Sequence, residues 1–197
     1  MRRTTFDALL TVAGLGLAVV LLIAGALLTW GYTFTNNQVH NQLVAQKIHF
    51  PAKGSESLTS LPAPDRAAVS AYAGQQLANG QQAAVYADHF IAVHLQKIAG
   101  GKTYAELSAQ SLAQPNNTKL ADQVQTMFRG TTLRGLLLNA YAFWKMGQIA
   151  LIAAIVAFAG ATLMLILAAF GVAHLRRTPA SAEAFPELGK HVEPQAA

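Results

Sequence analysis

Cysteine is absent from the 197 residues, so disulfides, thiolate nucleophiles and zinc–cysteine sites are excluded. Charge is scarce as well: 12% of residues carry it, about half the level of an ordinary soluble domain. No segment keeps up the two-residue apolar alternation that a half-buried strand needs, which leaves no ground for a sheet. A phosphate loop, a dinucleotide-binding glycine pattern and a nucleophile elbow are missing too. Gly100-Gly101-Lys102-Thr103 lacks the earlier glycine of a phosphate loop and reads as a helix stop followed by a new N-cap. The net charge of +5 is spread along the chain rather than clustered to track a phosphate backbone, so no nucleic-acid partner is expected. No residue pattern calls for a cofactor.

The apolar residues, 53% of the chain, are unevenly placed. Ala8 to Leu28 holds 21 residues with Thr11 the only polar one, and Ile149 to Ala173 holds 25 with Thr162 the only polar one. A bilayer core takes about 20 apolar residues as a helix, because unsatisfied backbone groups in hydrocarbon rule out other single-segment structures. Both runs qualify. Arg2 and Arg3 precede the first and Arg176 and Arg177 follow the second, whereas no Lys or Arg follows the first run before Lys47. Arg-rich short flanks stay inside, so both termini are expected in the cytoplasm of a bacterial plasma membrane. Trp30, Tyr32 and Phe34 at one outer boundary, and Tyr141, Phe143, Trp144 and Lys145 at the other, form the expected interfacial belt.

Arg2, Arg3 and Ala24-Gly25-Ala26 also resemble a cleaved export signal. The apolar run is longer than the ~7–15 residue core of such signals, which favours a retained span. Small residues recur at four-residue spacing: Gly14 and Ala18 in the first run, Ala153, Ala157 and Ala161 in the second, with Ala150 and Ala154 alongside. Such spacing lets backbones approach closely in lipid, either between the two spans or in self-association.

The resulting organisation is all-α: a cytoplasmic N-terminus (1–7), a first span (8–30), an extracytoplasmic helical bundle (31–145), a second span (146–173) and a disordered cytoplasmic tail (174–197). Within the bundle, 36–48 extends the first span, a loop runs from Pro51 to Pro64, and Asp65 to Asn79 reads as a helix. Gln81 to Ala99 is amphipathic, with Tyr86, Ala87, Phe90, Ile91, Leu95 and Ile98 on one face. Thr103 and Glu106 match a capping box opening a helix to about Ala113. A further helix from Thr118 stops near Gly130, and Thr132 to Lys145 leads into the second span.

His94 sits near the centre of the apolar face of 81–99, so it must find a partner or stay neutral. Tyr86, Phe90 and His94 are the candidate pocket residues; the competing reading of His94 is a hydrogen-bonded core side chain. His89 and His94 lie five apart, which places them on different sides of a helix, whereas helical zinc pairs are four apart. Asp88 adjoins His89 but points elsewhere, and the five acidic residues of the outer domain form no pair, so no metal or catalytic set is expected. Arg129 and Arg134 are candidates for lipid headgroups or for a partner's carboxylates.

The stretches YADHFIAVHLQKIAGGKTYAELSAQ (86–110) and FRGTTLRGLLLNAYAFWKMG (128–147) are similar to a family of uncharacterised actinobacterial two-helix membrane proteins. That resemblance implies a Gram-positive cell-envelope protein and assigns no catalytic residue. Members are sometimes labelled aromatic-ring-opening dioxygenases, yet no set of two histidines and a carboxylate suited to iron is visible here. The functional expectation is an accessory subunit or envelope scaffold, with membrane lipids, a membrane-protein partner or a second copy as partners. The alternative is an extracytoplasmic module that binds a lipid or small molecule.

Overall fold

A computed structural model describes residues 3–177 and Pro179, and helix is the only repeating structure among them. Arg2 and the tail residues 178 and 180–197 lie outside that description. Helix α1 (Arg3–Ala45) and helix α7 (Thr118–Arg177) are 43 and 60 residues long. Both contain windows apolar enough to cross a membrane, with mean hydropathy 2.5 and 2.7. Between them lie α2 (Glu56–Thr59), α3 (Ala63–Ser70), α4 (Gly80–Val85), a π-helical turn (Tyr86–Ile91), α5 (Ala92–Ala99) and α6 (Tyr104–Ala113). The chain divides into two compact units, Met1–Trp30 with Ala150–Ala197, and Gly31–Ile149.

In the first unit the two long helices pack through small residues. Thr11, Ala18 and Gly25 of α1 are buried, as are Ala154, Ala161 and Ala168 of α7, all at intervals of seven. A seven-residue repeat is the signature of a left-handed coiled pair. The contacts are close enough to exclude side chains. A Cβ added at Gly25 would lie 2.8 Å from the Phe158 ring, one at Gly160 3.3 Å from Leu21, and one at Gly171 2.5 Å from Thr11 Oγ1. Thr11 satisfies its own hydroxyl by donating to Asp7 O at 2.7 Å. Of the small residues at four-residue spacing, Ala18, Ala157 and Ala161 are buried, whereas Gly14 and Ala153 are only partly buried and nothing lies within 4 Å of a Cβ built at Gly14.

The second unit departs from the sequence expectations in four places, each with a local cause. The loop after Pro51 contains a one-turn helix, α2, which buries Leu58. The helix expected from Asp65 to Asn79 ends at Ser70, because Gly74 takes φ +74° and turns the chain back. The returning segment pairs with the chain after α1, Phe50 N–H donating to Gln75 O and Leu77 N–H to Ile48 O, each at 2.9 Å. The break expected at Gly130 does not occur. A lone glycine costs a helix about 1 kcal/mol and does not end it, and here the bare backbone receives the Leu95 side chain. Ile98, placed on the buried face by a regular projection, is exposed, because the π-turn shifts the register before α5.

The burial pattern explains that turn. Ala83, Ala87, Ile91, Leu95 and Ala99 are all buried, at a strict spacing of four. A regular α-helix would drift about 40° per such step, and an i→i+5 turn takes up the extra residue. The following helix behaves as its sequence asks. Thr103 Oγ1 accepts from Glu106 N–H, and the Glu106 carboxylate accepts from Thr103 N–H at 2.7 Å, completing the capping box. The Thr103 N–H bond first, and then one that the Thr103 hydroxyl donates to the same carboxylate at 2.8 Å, hold the Glu106 carboxyl below its ordinary pKa. Leu77, Leu107 and Val69 are the largest fully buried side chains, each worth about 1.5–3 kcal/mol of burial.

Candidate functional site

His94 lies at the end of an aromatic ladder. Phe50 contacts Tyr72 and Tyr86 with ring centroids 5.3 Å apart in each case; Tyr86 meets Phe90 at 4.9 Å, and Phe90 meets His94 at 4.5 Å. Phe50 is buried, whereas Tyr86, Phe90 and His94 are each partly buried. The imidazole Nδ1–H donates to Phe90 O at 2.7 Å, one turn back on the same helical run. One imidazole nitrogen is thus bonded within its own helical run, and the ring packs on a phenyl face. Burial raises the Tyr86 phenol above its usual pKa. The structure thus brings Tyr86, Phe90 and His94 together as expected, but as a packed stack.

The neighbouring polar groups are likewise committed. His89 Nδ1 is 2.8 Å from Asp65 Oδ1, tying the π-turn to α3. Arg134 donates to Asp88 Oδ1 at 2.6 Å, tying the π-turn to α7, so Arg134 serves the domain itself. Arg129 is exposed. His40 Nδ1–H donates to Ala78 O at 2.9 Å, and His49 Nδ1–H to Lys47 O at 3.0 Å. Among the described residues no three His, Asp or Glu side chains group to hold a metal ion. Both carboxylate pairs are partly solvated, so each contributes little. Asp88→Asn is expected to lower stability by about 1 kcal/mol or less, measured as the thermal unfolding midpoint in mild detergent.

A groove of about 520 Å³ opens elsewhere in the same unit, between the end of α1 and the middle of α7. Its α1 wall carries Phe34, Thr35, Gln38, Val39, Gln42, Leu43 and Gln46; its α7 wall carries Leu133, Leu136, Leu137, Asn139, Ala140 and Phe143, and Ile48 also lines it. Small-molecule sites fall in the range of roughly 300–1,000 Å³. None of the lining residues is charged. The walls are held close by Gly147, where an added Cβ would lie 2.5 Å from Thr35 Oγ1. The groove as a whole leaves no local sequence pattern, because its two walls lie about a hundred residues apart. The readable signal is the glutamine repeat at 38, 42 and 46, which marks one helical face.

The expected interfacial residues fall into two groups. Trp30 is two-thirds exposed, Lys145 is exposed, and Arg176 and Arg177 occupy the last turn of α7. Arg3 is exposed, 4.0 Å from Asp7. Tyr32 is partly buried. Trp144 is drawn into the domain instead: it packs against the core, stands over Gly80 and stacks on Tyr141 at 6.2 Å.

Fold and site together define a protein whose described residues are all-helical, with two helices long and apolar enough to span a membrane and an uncharged groove walled by residues of both. No family model, no curated protein and no solved structure matches the chain.

Proposed function

We propose that this chain is a two-span plasma-membrane protein with both termini in the cytoplasm, acting as an accessory subunit or envelope scaffold through an extracytoplasmic domain formed by 31–149. The observation that carries the membrane reading is the bareness of the two apolar helices. Only 17% of each most apolar window is buried, so neither helix has the protein surroundings of a soluble core helix, and hydrocarbon is the medium that suits such a surface. Paired arginines at the inner flanks set the orientation.

A binding role is favoured over chemistry by where the reactive side chains are spent: His94, His89, Asp88, Arg134 and Glu106 each have a structural partner. A protein partner is favoured by Ile98, Tyr104 and Phe128, which stay exposed at 42%, 37% and 50% although Tyr104 and Phe128 already pair at 6.0 Å. Exposed aromatic and aliphatic side chains of this kind are the material of protein interfaces.

The absence of native cysteine makes the topology directly testable. An impermeant maleimide applied to intact cells is expected to label Ser57→Cys, and to label Thr5→Cys only after permeabilisation. Labelling of Thr5→Cys in intact cells would overturn the orientation. Affinity purification in mild detergent is expected to recover a stoichiometric membrane protein that is lost with Tyr104→Ala/Phe128→Ala; recovery unchanged by that pair would overturn the assigned surface.

A further inference from the structure

On the α7 wall of the groove, Leu133, Leu136, Ala140 and Phe143 follow one another at steps of three, four and three. That is the spacing of a coiled-coil seam. It is not the seam that joins α7 to α1 in this unit, which runs through buried Leu137 and through Gly147 on Thr35. Leu136 and Phe143 remain 61% and 56% exposed, so the described residues leave this second seam open.

The same face is free of charge along its length. Arg134 lies two residues before Leu136, and Lys145 two residues after Phe143. Each is turned about 200° around the helix from its apolar neighbour, onto the far side. On α1 no Asp, Glu, Lys or Arg occurs from Gly31 to Gln46. Its groove wall offers Gln38, Gln42 and Gln46 instead, all of them exposed. The close approach of Thr35 to Gly147 sets the register of the two antiparallel helices. Seven residues further on, Gln42 stands level with Ala140, next to exposed Asn139.

Two copies of a membrane protein enter the bilayer the same way round, so a symmetric pair has its twofold axis along the membrane normal. Every residue near that axis then meets its own counterpart at its own height. A charge there would face a like charge. An amide both donates and accepts, and so pairs with its own kind. A single Asn in such a seam also fixes its register and strand number.

We infer that the groove is the contact between two copies of this chain, the α7 helix of each lying in the groove of the other. The result is a bundle of two α1 and two α7 helices, with Gln42 and Asn139 of one copy facing those of the second near the axis. The inference rests on the membrane reading above, which makes the copies parallel, and goes beyond it, since Tyr104 and Phe128 lie outside the groove. A second copy is favoured over lipid because Leu136 precedes the expected span (146–173) by ten residues. That is roughly 15 Å of helix, beyond the reach of acyl tails.

The test uses the full-length protein, which has no native cysteine, in phosphatidylcholine vesicles. Under mild oxidation Leu136→Cys, Asn139→Cys and Phe143→Cys are each expected to form disulfide dimers. Lys145→Cys, exposed at nearly the same height, is not. Asn139→Asp and Asn139→Lys, each alone, are expected to weaken dimerisation at least tenfold, read by energy transfer between labelled copies, because each places like charges face to face. An equimolar mixture of the two is expected to restore it, a result that only a position facing its own copy gives. Three outcomes overturn the inference while leaving the membrane reading standing, provided the protein floats with the vesicles. They are cross-linking at Lys145→Cys as readily as at Asn139→Cys, native dimerisation of Asn139→Asp, and a monomer marked at 133–143 by a photoactivatable phosphatidylcholine. Protein that does not float overturns the membrane reading and the inference with it.

Discussion

Replacing Gly80 by alanine is expected to lower the stability of the outer domain by about 3 kcal/mol or more, the largest loss from any single methyl group in this chain. Gly80 opens α4, with Asn79 capping the helix by accepting from Gln82 N–H at 2.9 Å. A Cβ at position 80 would fall onto Trp144 Cβ, and would lie 2.6 Å from Cγ and 3.0 Å from Cδ2. Real Cβ atoms do not approach that closely, and Trp144 Cβ is fixed to the backbone of α7. Relief therefore requires a helix to move, which puts the cost at or above the upper end of the ~1–3 kcal/mol typical of overpacked cores. Against a total stability on the order of 5–15 kcal/mol, that is a large share.

Two other glycines supply the controls. A Cβ at Gly130 meets the tip of Leu95, a side chain that can swing aside, while nothing lies within 4 Å at Gly135. Alanine at a helix interior gains about 1 kcal/mol over glycine, so Gly130→Ala should be close to neutral and Gly135→Ala mildly stabilising. Thermal unfolding of the full-length protein in mild detergent, followed by near-ultraviolet circular dichroism, ranks the three. If Gly80→Ala melts alongside Gly135→Ala, Trp144 does not stand on Gly80.

The same glycines show what was legible in the sequence. Local signals with a complete mechanism are legible in the sequence. Thr103 and Glu106 announce a capping box, and Gly100 closes α5 in the left-handed conformation at φ +59°. The two apolar runs announce themselves by length. Gly130 misled because a helix-stopping glycine and a glycine that admits a neighbour look alike until the neighbour is known, and Leu95 is 35 residues away in sequence. Ile98 misled because a projection at fixed pitch cannot anticipate a π-turn, although the alignment of Ala83, Ala87, Ile91 and Leu95 at exact fours carried the warning. The pattern of Asp65 to Asn79 suits one helix, but Gly74 turns the chain at positive φ and the returning Gln75–Leu77 backbone bonds to residues 48–50, a partner no local pattern reveals. The aromatic face around His94 was recognised from periodicity, and what periodicity could not supply was that Phe90 O already holds the imidazole.

The double substitution Ala154→Leu/Ala161→Leu is expected to cost about 2–6 kcal/mol and to separate the two long helices. Both alanines are essentially without exposure, at 1% and 0%. They lie seven residues apart, a rise of about 10.5 Å, far enough for their effects to add. Each leucine inserts three carbons into a seam already tight enough that a single Cβ at Gly25 or Gly171 would clash with Phe158 or Thr11, at about 1–3 kcal/mol apiece. Hydrophobic burial cannot repay this in lipid, where an acyl tail is as apolar as leucine and association depends on close packing. The sensitive readout is distance: spin labels at Leu17→Cys and Phe170→Cys, both exposed, measured in vesicles before and after the double change. A broadened, lengthened distance distribution is expected, with Ile155→Leu/Val156→Leu on the exposed face leaving it unchanged. Equal behaviour of the two pairs would mean that the seven-residue seam does not hold the helices together. The four-residue spacing of Gly14 with Ala18 and of Ala153 with Ala157 would then be the next candidate, as a contact between copies of the chain.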